Sequence, residues 1–180
     1  MLRLIAILLH MTMQLLVIRH AIAEDKEAFA RTGRPDTERP LTKRGRKLMA
    51  TIASGLRREV KSIDVIAASP LVRAAQTAAI VAKEYDEMPV RTVPALAPEG
   101  TPQAFAAWLA TQQRAEVVAI VGHEPHLGML VTWLLSGLTT SRVEIEKGGA
   151  CLLEMNGKPG ARCATLLWSL PPSVLSKLSP

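Results

Sequence analysis

The chain has 180 residues, of which 48% are hydrophobic and 21% charged, and a formal net charge of +6. This length suits one domain with a sizeable core and is short for two, and the composition excludes low-complexity and disordered classes. The positive charge does not mark a nucleic-acid binder: the basic residues spread from Arg31 to Arg58 without interleaved aromatics to stack bases.

The first residues combine two signals. Met1 to Ile18 is almost continuously apolar with Arg3 near its start, and Ala21-Ile22-Ala23 follows, the outline of a signal peptide and its cleavage site. Cleavage there would remove Arg19 and His20. The run Met13 to Ile18 instead reads as a first strand beginning at an internal Met. Residues 1–12 are therefore read as an N-terminal extension, or as a start codon assigned too early, and residues 13–180 as one domain. Because the strand takes half of the apolar stretch, no separate spanning segment remains and no stable membrane insertion is expected.

Residues 24–41 are polar, with Gly33, Pro35 and Pro40, and read as a loop. Thr42 then caps a helix whose apolar residues Leu48, Met49, Ile52, Ala53 and Leu56 recur at helical spacing. Ile63 to Ala68 is a second short apolar strand closed by Ser69-Pro70, and an alanine-rich helix runs from Val72 to Glu84. Val90 to Val93 reads as a third strand, with a loop from Ala95 to Thr101. Thr101 and Pro102 open a helix that extends to about Gln113.

Glu116 to Val121 is the strongest strand signal, followed at once by Gly122-His123, and Leu127 to Leu135 reads as a helix. The final segments, Gly149 to Met155 and Arg162 to Ser169, flank a turn-forming Asn-Gly-Lys-Pro-Gly and read as an antiparallel hairpin. Strands alternating with helices predict a layered α/β fold with a mostly parallel sheet, made mixed by this C-terminal β-hairpin. Trp108 and Trp133 read as core.

Reactive or cationic side chains follow three of these strands directly: Arg19-His20, Ser69 to Arg73, and His123. Parallel strands in open α/β sheets place their carboxyl ends at one binding crevice, so these residues should meet there. Two histidines and two arginines at one mouth form a site for a dianion, with a candidate nucleophile inside it. Imidazole can attack phosphorus to give a phosphoramidate, and arginine offers bidentate donors to phosphoryl oxygens.

The strings LLVIRHAIAE at 15–24, RPLTKRG at 39–45, ASPLVRAAQTA at 68–78 and VGHEPHLG at 121–128 resemble the histidine phosphatase superfamily. Within it they are most similar to the small SixA-type phosphohistidine phosphatases. The likeness runs from Met13 over nearly the whole chain, in the family's order. It implies a phosphoglycerate mutase-like three-layer α/β/α fold. His20 would be the nucleophile, passing through a phosphohistidine intermediate, and Arg19, Arg73 and a protonated His123 would hold the phosphoryl group. Ala21 stands where sugar-phosphate members have glycine, which favours the SixA-type branch and a phosphohistidine on a protein as substrate. The family's usual proton donor is an acid in a later loop, for which Glu99 is the candidate, although the SixA-type branch can lack it.

Alternatives remain open at this point. A phosphatase of small phosphate monoesters would need Glu99, and a non-catalytic phosphate-binding module would bind without turnover. Arg39 is read either as a substrate-binding residue reaching in from the loop or as a support of that loop. Glu124 is read as a neighbour of the site or as a solvated residue, and His10 as a bystander. Pro125 argues against His123 and His126 presenting both rings to one ion, so no metal or other cofactor is expected. Cys151 and Cys163, without a CxxC, fit a reducing cytoplasmic setting as small core residues with no disulfide.

Overall fold

The computed structural model describes residues 12–179; the reading of the N-terminal extension falls, except for Thr12, outside them. Six strands form one sheet: β1 (Met13–Arg19), β2 (Val65–Ala68), β3 (Val90–Thr92), β4 (Val117–Gly122), β5 (Ala150–Met155) and β6 (Ala164–Leu170). Their order is β3-β2-β4-β1-β5-β6. The first four run parallel, whereas β5 is antiparallel to both β1 and β6. The chain thus has the mixed α/β sheet and the C-terminal hairpin expected of it.

Helices cover both faces because the central strands are apolar on both sides. Leu16 and Ile18 of β1, with Ile66, Ala68, Ala119 and Val121, pack against α2 (Lys43–Glu59) and α3 (Val72–Glu84). The alternate residues Leu15, Val17, Ala67, Val118 and Ile120 pack against α4 (Pro102–Leu109) and α5 (His126–Ser136). Adjacent residues on a strand point to opposite faces, so β1 alone feeds two cores. On α2 the buried Met49, Ile52, Ala53 and Leu56 lie on one stripe, while Lys43, Arg44, Arg46 and Lys47 are exposed. Much of the basic stretch is therefore a solvated helix face.

Most strand and helix ends shift by one or two residues from the sequence reading, and three departures are larger. The 24–41 segment contains a short helix, α1 (Lys26–Ala30), and a turn of 3-10 helix at Asp36–Glu38. Asp25 starts α1 by accepting the Ala28 backbone N–H at 2.8 Å, a cap signal masked by the surrounding polar residues. The helix after Thr101 ends at Leu109 and tightens to 3-10 over Ala110–Gln112. A short terminal helix, Pro172–Leu175, buries Leu175 beside Gly55 of α2.

The string RPLTKRG has a structural reason. Thr42 caps α2 by accepting the Gly45 N–H at 2.8 Å, and its own N–H donates to the Ile22 carbonyl at 3.0 Å. A Cβ on Gly45 would lie 2.0 Å from that same carbonyl oxygen, so only glycine lets α2 approach here. The start of α2 thereby pins the chain just after His20.

Among the described residues, no helix is long and apolar enough to cross a membrane. Cys151 and Cys163 are both buried.

Candidate active site

Strand register brings the site together. Ile18 of β1 and Ala68 of β2 both align with Val121 of β4, so the residues that follow these strands leave the sheet at one level. The His20 N–H donates to the Gly122 carbonyl and the Ser69 N–H to the Val121 carbonyl, each at 3.0 Å. The His20 and His123 rings consequently stand 5.1 Å apart, tilted by 55°. Both are buried, at 6% and 2% exposure.

The hydrogen bonds define the state of His20. Its Nδ1 lies 2.8 Å from the Ala21 carbonyl oxygen. A carbonyl can only accept, so Nδ1 carries the hydrogen and Nε2 keeps its lone pair. The Ala21 N–H in turn donates to Thr77 Oγ1 at 3.1 Å, and that hydroxyl donates to the Arg73 carbonyl at 2.7 Å. The turn carrying His20 is thus fastened to the first turns of α3. Burial pushes the His20 pKa down to about 4, helped by the charges of Arg73, Arg19 and Arg39 and opposed by the Ala21 carbonyl.

His123 Nε2 lies 2.8 Å from Ser69 Oγ. Ser69 Oγ also accepts the Leu71 N–H at 3.4 Å, so the hydroxyl ties the His123 ring to the start of α3. Burial lowers the His123 pKa to about 3, reinforced by His20 and Arg73. The sequence reading expects a protonated His123 on the bound phosphoryl group; burial by itself favours the neutral ring.

The two arginines are held from behind. Arg19 Nη1 donates to the Ile145 carbonyl at 2.8 Å, and Arg73 Nη1 meets both the carbonyl and the carboxylate of Asp36, at 2.9 and 3.1 Å. Arg39 grips the other oxygen of that carboxylate at 2.6 Å and donates to the Glu24 carbonyl at 2.7 Å. The Arg39 hydrogen bond, together with the charges of Arg73 and Arg39, holds the Asp36 carboxyl below its usual range. Arg39 therefore braces the 24–41 segment while its charge still reaches His20.

Among the described residues, four side chains carry buried nitrogens without hydrogen-bond partners: Arg19 Nε, Arg73 Nε, His123 Nδ1 and both ring nitrogens of His126. Buried donors are normally paired, and leaving one unpaired costs about 1–3 kcal/mol. Three of the four belong to the residues that the sequence placed around His20. Such a cluster can grasp the oxygens of a tetrahedral dianion while a neutral imidazole faces its central atom.

Glu99 lies in the segment between the 3-10 turn Pro94–Leu96 and α4. It is exposed, and its charge opposes the lowering of the His126 pKa by burial. Sequence reasoning missed Asp36, which follows Arg34-Pro35 in a segment without periodicity, and Thr77, which looks like one more small residue of an alanine-rich helix. It also left the part played by Glu124 open. Among the described residues, no cluster of His, Cys, Asp and Glu is arranged to hold a metal ion.

Residues 15–98 match the histidine phosphatase superfamily (branch 1). An uncharacterized protein of Picosynechococcus is 34% identical over 139 residues, covering 76% of this chain and 82% of that protein. The chain belongs to the histidine phosphatase superfamily. Among solved structures, the protein histidine phosphatase SixA complexed with tungstate superposes with a TM-score of 0.77 at 24% identity, over 91% of this chain and 99% of that one. The α-ribazole phosphatase of Shigella flexneri gives 0.71 at 21% identity, over 89% and 97%. At these identities the likenesses concern the fold, and the three-layer architecture of this superfamily member is of the SixA type.

Proposed function

We propose that this superfamily member is a phosphatase with His20 as its nucleophile and a phosphohistidine on a protein as its substrate. The observation that carries the reading is the ring of unpartnered buried nitrogens, Arg19 Nε, Arg73 Nε and His123 Nδ1, beside a histidine whose Nδ1–H is already committed to a backbone carbonyl. His20 Nε2 attacks phosphorus, the bond from phosphorus to the substrate nitrogen breaks, and the leaving imidazole keeps the bond's electron pair and takes up a proton. Water then cleaves the P–N bond on His20, releasing inorganic phosphate and restoring the neutral ring. Arg19, Arg73 and His123 hold the oxygens, and phosphoryl transfer depends mainly on such positioning and charge stabilisation. An arriving dianion also offsets the desolvation of His123 and favours its protonated form.

The part played by Glu99 bears on the substrate class. An alkoxide leaving group needs a strong proton donor, whereas an imidazole leaves with less help, and Glu99 lies exposed beside His126. The likeness to an α-ribazole phosphatase favours the second reading, a phosphatase of small phosphate monoesters. Turnover of a phosphohistidine peptide against a sugar phosphate, in wild type and Glu99→Gln, separates the two. The proposal expects the peptide to be preferred and Glu99→Gln to retain that activity. A strong monoesterase activity abolished by Glu99→Gln would overturn it.

A further inference from the structure

Glu124 follows His123 directly in sequence, and both its carboxylate oxygens are occupied. Oε2 accepts the Gly128 N–H at 3.2 Å, in the first turn of α5, where Pro125 at the cap position supplies no side-chain acceptor. Oε1 accepts the Ile145 N–H at 2.9 Å, from the segment between α5 and β5. Ile145 is buried, and its carbonyl receives Arg19 Nη1. The same carboxylate therefore joins the turn after His123 to the peptide that fixes Arg19. The approach is close: a Cβ on Gly128 would lie 2.2 Å from the Val143 carbonyl oxygen and 2.9 Å from Glu124 Oε2.

From this chain of contacts we infer that Glu124 is a positioning residue for Arg19, acting through the Ile145 peptide. The inference rests on the proposed reading of Arg19 as a phosphoryl-binding side chain. Two backbone N–H groups converge on one side chain from different directions, and each takes its own carboxylate oxygen. Glutamine can satisfy one N–H but turns its own N–H toward the other. The Ile145 peptide then loses its anchor on one side, and the Arg19 guanidinium loses the fixed carbonyl that aims it. Glu124 itself touches no reacting atom.

The test is a double-mutant cycle on the full chain, reading the Kd for inorganic phosphate, the guanidinium nitrogen NMR resonances of Arg19, and Tm. Glu124→Gln should weaken phosphate binding about tenfold, by analogy with groups that orient metal ligands, and should broaden or shift the Arg19 resonances. Arg19→Ala should weaken phosphate binding on its own, and adding Glu124→Gln to it should weaken it less than about twofold further, because the effect passes through Arg19. Independent, multiplying effects would overturn the inference. So would a lowered Tm in Glu124→Gln with wild-type phosphate affinity and unmoved Arg19 resonances, which is the signature of a purely structural residue. If wild type binds no phosphate, the reading of the site as a dianion pocket fails. The Arg19 resonances then decide the inference alone: a change in Glu124→Gln upholds it, and wild-type resonances overturn it.

Discussion

The two ends of the parallel strands treat their polar groups in opposite ways. At the amino end, Asp64 Oδ2 accepts the N–H groups of Glu116 and Val117 at 2.8 and 2.9 Å, and the Gln14 N–H donates to the Glu116 carbonyl at 2.7 Å. At the carboxyl end, Arg19, Arg73, His123 and His126 keep buried nitrogens unpartnered. One end of the sheet is finished for stability, and the other holds donors ready at a cost in stability. That division fits a ligand-binding site at the carboxyl end, and it separates the residues that should affect activity from those that should affect folding.

The largest effect should come from the centre of the unfinished end. His20→Ala should lower turnover by a factor on the order of 10^4 or more while the protein remains folded. It should also abolish an acid-labile, alkali-stable phosphoryl adduct trapped with radioactive phosphate substrate. Label retained in His20→Ala would sink the nucleophile assignment. Next, Arg73→Ala should reduce kcat/KM by about 10^2–10^3, the scale for losing one preorganised donor. Its unfolding free energy should move by about 1 kcal/mol at most, because its ionic partner Asp36 is half exposed. A larger loss in stability than in activation energy would place Arg73 with the structural residues.

The buried histidines give the comparison a pH signature. His20 and His123 have folded pKa values of about 4 and about 3, both below the ordinary 6.5. Their neutral burial therefore contributes stability in full above pH 6.5, and this is lost as pH falls toward those lower values, since the unfolded chain takes up the protons first. Each histidine should add a slope of up to about 1.4 kcal/mol per pH unit within that window. Denaturant unfolding at stepped pH should show a shallower dependence in His123→Asn, and an unchanged slope would contradict the neutral assignment. Smallest of all, Asp64→Ala at the finished end should cost about 1–2 kcal/mol in denaturant unfolding, since it strips two backbone N–H groups of their acceptor. Its kcat/KM should stay within about twofold of wild type; a larger drop would mean that the two ends are not separable.

Much of this site was legible before any coordinates. His20, Arg19, Arg73 and His123 each follow a short apolar run, and a strand end is a local signal. Thr42 and Thr101 announce their helices because capping depends on residues three positions apart. Asp36 and Glu124 were not legible in the same way. Asp36 matters only because Arg73 lies 37 positions away in sequence, and Glu124 because Ile145 lies 21 positions on. Neither the polar surroundings of Asp36 nor the position of Glu124 after His123 says which distant backbone group it meets.

The sequence by itself determined the strands and the two-sided apolar sheet, since periodicity and capping act over a few residues, and its four motifs carried the resemblance that implies His20 as the nucleophile. Only the tertiary structure decided that β4 lies between β2 and β1, which sets His123 against His20. It also decided that the carbonyl holding Arg19 comes from 126 positions along the chain. The tautomer of His20 and the neutrality of His123 belong to that level too, because burial and hydrogen-bond partners exist only once the strands have assembled.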